Sequence, residues 1–124
     1  MIDYSSYAAR NGIAVNPFEP HPITLSSVKA IAEEQGVEFR VGDVLFIRTG
    51  YAEAYQRLTQ EARANVARVK EWIGLAQSRE TTEWLWERQF AAVASDNPGF
   101  ELRRECPRDL AAQAFKRPRL TVHD

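Results

Sequence analysis

The side chains that most often run chemistry are thinly spread in this sequence. It holds two histidines, His21 and His123, far apart in the chain, and a single cysteine, Cys106. A zinc site needs three or four His, Cys or carboxylate ligands converging, usually with one close pair. No such pair occurs, so no metal ligand is assigned. His21 stands between Pro20 and Pro22. It reads as a loop histidine bonded to backbone or water, against the alternative of a lone ligand or proton carrier. Cys106-Pro107 lies in a charged stretch with no base at a useful spacing, and reads as an idle thiol. Ser95-Asp96 has no histidine within reach. No glycine-rich phosphate loop and no Gly-x-Ser-x-Gly elbow is present. Trp84, Trp86 and Phe90 could form a platform for bases or sugars, but without a basic face they read as helix-packing aromatics. No catalytic residue is assigned.

The bulk numbers bound what such residues could belong to. The chain has 124 residues, 44% hydrophobic and 27% charged, which suits one globular domain with a modest core. Its net charge of −1 provides no field to attract nucleic acid or an anionic membrane, and neither is expected as a partner. One cysteine excludes an intrachain disulfide. Met1-Ile2-Asp3-Tyr4 has no basic region followed by an apolar run, so no secretory leader is expected. Apolar runs such as Val44 to Ile47 are far too short to span a bilayer. A cytoplasmic location is the expectation.

Elements that would position a site follow from caps and periodicity. A short helix is expected over residues 4–11, capped by Asp3 or Ser5 and stopped at Gly12. Pro17, Pro20 and Pro22 make the next stretch a stiff, extended loop. Thr24 opens a second helix with Leu25, Val28, Ile31 and Ala32 on one face, ended by Gly36. The run Val44-Leu45-Phe46-Ile47 fits a strand buried on both faces of a parallel or mixed sheet. Helices are then expected over 51–58, from Thr59 towards Lys70, and after Ser78. Trp72 to Leu75 forms an apolar link, and Phe90 to Ala94 reads as a second strand before the Asp96-Asn97-Pro98-Gly99 turn. This order is that of a crossover α/β unit.

One positional signal for a site survives. In open α/β sheets, ligands bind beyond the carboxyl ends of the strands. Thr49-Gly50-Tyr51 and Ser95-Asp96-Asn97 stand at two such ends. They suit either pocket lining or ordinary strand termination with helix caps.

Several stretches together resemble a known family. Asp3-Tyr4, Gly12-Ile13, the helix ending at Gly36, Gly42-Asp43-Val44-Leu45-Phe46-Ile47-Arg48-Thr49-Gly50, Trp84-Leu85, Phe90-Ala91-Ala92-Val93-Ala94-Ser95-Asp96-Asn97 and Phe100-Glu101 resemble the middle of the cyclase family. That family of metal-dependent hydrolases includes bacterial-type kynurenine formamidase, an enzyme of tryptophan catabolism, and isatin hydrolase. The resemblance covers about residues 1–101. It implies an α/β fold, a partial swivelling β/β/α domain with a mixed sheet and flanking helices. It also implies hydrolysis of an amide, formamide or lactam C–N bond in a small molecule, by water activated on zinc or manganese. The family's His-x-Gly-Thr-His-x-Asp motif and its later His and Glu ligands have no counterpart here, so no ligand carries over. Tyr51, Asp96 and Asn97 carry over as pocket-side candidates. The chain is thus expected to be a fragment of such an enzyme, inactive alone, a homo-oligomer or one half of a split enzyme. The alternative is a non-catalytic scaffold that binds a partner through an unpaired sheet edge.

The resemblance ends where the charge changes character. Residues 1–101 hold 10 basic and 14 acidic side chains, and residues 102–124 hold 6 and 3. Pro107 and Pro118 interrupt any long helix there, and the apolar residues form no continuous face. Residues 102–124 are therefore expected to be a weakly ordered, dispensable tail. Its competing reading is a basic arm at Lys116-Arg117-Pro118-Arg119.

Overall fold

The computed structural model describes residues 1–104 of the chain. Three strands form one sheet in the order β1 (Ile2–Asp3), β3 (Val44–Arg48), β5 (Ala92–Ser95), all parallel. Ile2 stands beside Ile47, and Val44 to Ile47 stand beside Ala92 to Ser95. A second, two-stranded parallel sheet pairs β2 (Pro22–Ile23) with β4 (Gly74–Leu75). The mixed α/β architecture expected from the sequence is present. Antiparallel geometry occurs at the isolated bridge between Trp72 and Arg103.

Helix boundaries follow local chemistry. Helix α1 (Tyr4–Arg10) is capped by Asp3, whose carboxylate accepts from the Ser6 backbone N–H at 3.1 Å and from its hydroxyl at 2.8 Å. Thr24 caps α2 (Leu25–Gln35), and Gly36 ends it in the left-handed region at φ 66°. Tyr51–Gln56 forms the short α3. Thr59 caps α4 (Gln60–Val69), and Ser78 caps α5 (Arg79–Glu87). In each of these caps a side-chain oxygen takes up an N–H that the first turn leaves unpaired.

The core lies on one face of the large sheet. Ile2, Leu45 and Ile47 meet Ala8 of α1, Val28 and Ile31 of α2, and Ile23, Ile73 and Leu75 around the small sheet. Strand β3 alternates accordingly: Leu45 and Ile47 are buried, whereas Val44 is 59% exposed and Phe46 half-buried. The continuous apolar run suggested burial on both faces. The helices cover only one, because α1 and α2 both pack on the side of Leu45 and Ile47.

Other differences have equally local causes. The second strand runs from Ala92 to Ser95, two residues later than its apolar run began, because Phe90 turns into an aromatic cluster. Its ring lies edge-on to Phe39 at 5.8 Å and tilted to Trp84 at 5.5 Å. The apolar link before α5 holds β4, and Gly74 is required there. A side chain at that position would overlap the backbone of Glu101 and Leu102. Backbone pairing continues past Glu101, since Leu102 N–H donates to Leu75 and Arg103 exchanges both bonds with Trp72. The remainder of the expected tail, including Cys106, His123 and the basic stretch at 116–119, lies outside the described residues.

Among the described residues, strand β3 is the one strand flanked on both sides, and its Ile47 is 1% exposed. An unpaired carboxylate there costs several kcal/mol, about the full stability of a small domain. Ile47→Asp is expected to abolish the cooperative thermal transition followed by circular dichroism. A variant that kept its melting temperature would show the strand to be peripheral.

Candidate functional site

Parallel pairing brings the carboxyl ends of β1, β3 and β5 to one side of the sheet. The residues immediately after them are Tyr4, Thr49-Gly50 and Asp96-Asn97. A cleft of about 370 Å³ opens at this end, between α1 and α3. Helix α1 contributes Ser5, Ala8 and Ala9, and the proline-rich loop contributes Ile13, Val15 and Pro17. The β3 end contributes Thr49 and Gly50, and α3 contributes Glu53, Ala54 and Arg57. Depressions of similar volume lie along α4 and beside Trp86. Volume therefore does not single the cleft out. Its position does, because it stands where open α/β sheets take ligands.

The turn that forms its floor is held by one carboxylate. Asp96 Oδ1 accepts from the Thr49 backbone N–H and from the Thr49 hydroxyl, each at 2.7 Å, and Oδ2 accepts from Gly50 N–H at 3.1 Å. Thr49 is 3% exposed, and its oxygen in turn accepts from Tyr51 N–H at 3.2 Å. Gly50 takes φ 85°, and a Cβ there would stand 2.8 Å from Ser5 Oγ. Only glycine meets both conditions without strain. This lets α1 and the β3 turn approach closely enough to share one cleft.

The sequence-derived candidates Tyr51, Asp96 and Asn97 all lie at this end, and none is among the cleft's lining residues. Asp96 braces the Thr49-Gly50 turn. Asn97 accepts from the Ser95 hydroxyl and donates to the Ile73 carbonyl, tying β5 to the residue preceding β4. The Tyr51 ring packs edge-on to Phe18 at 5.0 Å and stacks near Tyr55 at 6.2 Å. Burial, with Tyr55 beside it, pushes the Tyr51 phenol above its usual range, so it is neutral at ordinary pH. Asp96 and Asn97 thus hold backbone near the cleft, and Tyr51 packs against neighbouring rings.

Two polar groupings went unread in the sequence. Arg48 bonds Asp3 at 2.9 Å and Glu53 at 2.9 Å, and Glu53 bonds Arg57 at 2.7 Å. The spacing of Glu53 and Arg57, four apart on a helix, was a legible signal for part of this chain of charges. The second grouping is the Tyr4 hydroxyl with His21 Nε2 at 2.7 Å. The His21 side chain thus meets a side chain from another element, while its backbone N–H and carbonyl bond Glu19 and Gly74. Burial pushes its imidazole below the ordinary value. Nothing local in the sequence announces a contact across seventeen positions.

Among the described residues, no group of three His, Cys, Asp or Glu side chains converges to hold a metal. Asp96 is occupied by three donors, Asp3 by Ser6 and Arg48, and His21 by Tyr4. The donor set present does not fit zinc or manganese.

A family model described as "Putative cyclase" matches residues 2–102. The chain belongs to the cyclase family. A crystal structure described as that of a novel cyclase is 25% identical, with a TM-score of 0.70. The match covers 87% of this chain and 33% of that one, so the chain spans about a third of the length of that cyclase. No curated protein matches it. Among the described residues, no helix is long and apolar enough to cross a membrane.

Two expectations follow from this geometry. Asp96→Ala removes an acceptor from three donors at a partly buried turn, at about 1.5–3 kcal/mol for a charged hydrogen-bonded group. Asp96→Asn keeps one acceptor oxygen and is expected to lose less. Urea denaturation of the two variants would show that order, and equal losses would mean the carboxylate is replaceable.

The other expectation concerns Asp3. Burial alone raises its pKa, but the backbone and side-chain hydrogen bonds of Ser6, with the Arg48 bond and charge, outweigh burial and hold it below its ordinary value. Its contribution is therefore present above the ordinary carboxylate range, near about pH 4, and is lost as pH falls through the lowered folded value. Arg48→Ala is expected to flatten that acid limb of stability, measured as denaturation midpoints across a pH series.

Proposed function

We propose that this chain forms part of a cyclase-family hydrolase that cleaves an amide, formamide or lactam C–N bond in a small molecule. In that reading the strand-end cleft is a wall of the substrate site. The observation carrying it is the family match over residues 2–102, which spans every element that builds the cleft. The cleft supports the reading in two ways. Ala8, Ala9, Ile13, Val15 and Ala54 give it an apolar lining, and Ser5, Glu53 and Arg57 add polar groups that would orient a ligand.

In this proposal the chain's own residues position and enclose. Asp96 and Gly50 set the floor, and Glu53 and Arg57 line the wall, tied to each other and through Arg48 to Asp3. The described residues supply no metal donor set, and no proton-transfer or hydrolytic step is assigned to them. Zinc- or manganese-activated water would have to be supplied by polypeptide beyond them.

A second reading has its own observation. The sheet face opposite the core leaves Val44 59% exposed and Ala92 exposed, while parallel sheets are ordinarily covered on both faces. That favours a scaffold with a binding role. The genomic DNA on both sides, translated in all frames, separates the two. The hydrolase reading expects an in-frame His-x-Gly-Thr-His-x-Asp motif upstream. It also expects the polypeptide spanning both to hydrolyse an aryl formamide at a rate abolished by EDTA. Absence of the motif, or an inactive spanning polypeptide, would leave the binding reading.

For the 124-residue chain by itself, calorimetric titration with zinc or manganese is expected to show no stoichiometric uptake. Formamide, lactam and lactone substrates should turn over at background rates. Metal-dependent turnover removed by an EDTA wash would show a donor set that the described residues do not contain.

A further inference from the structure

We draw no further inference here: the strongest candidate, the sheet face that carries exposed Val44 and Ala92 together with the outer edge of β5, carries nothing because nothing in the structure shows what covers it.

Discussion

A parallel strand pair cannot be closed by a tight turn. Each strand must be carried back across the sheet before the next begins, and the chain then leaves every strand at the same end. Strand β3, with β1 on one side and β5 on the other, imposes this constraint on the fold. It gathers Asp3, Arg48, Thr49 and Asp96 at one end although they are far apart in sequence. The cleft exists because these exits coincide. The bonds from Asp96 to the Thr49-Gly50 turn are what keeps two of the exits in register.

Helical parts of this arrangement were legible because helix ends are announced locally. Thr24, Thr59 and Ser78 each place an oxygen where an N–H lacks a partner, and Gly36 accepts a backbone angle other residues resist. The central strand was legible as an apolar run between turn signals. Its one-sided burial was not, because a run without alternation carries no record of which face is covered. Strands β1, β2 and β4 have two residues each, too few to show a period. They exist through pairing with distant partners.

The site divides in the same way. Proximity of Tyr51, Asp96 and Asn97 to the strand ends followed from topology. The bracing of backbone by Asp96 and Asn97, and the packing of Tyr51 against Phe18, depend on which partners the fold delivers to each side chain. Family resemblance reached further than patterning, since the family match spans residues 2–102. The Tyr4–His21 bond belonged to neither source of information, being a tertiary contact between a helix start and a loop end.

The four charges linked from Asp3 to Arg57 differ in their access to water. Side-chain exposure rises from 20% at Asp3 and 32% at Arg48 to 51% at Glu53 and 77% at Arg57. Mobile ions screen exposed pairs far more than sheltered ones. Added salt therefore weakens the Arg57–Glu53 link first and the Arg48–Asp3 link last. The chain of charges thus loosens from its exposed end at Arg57 inward towards Asp3, beside the sheet.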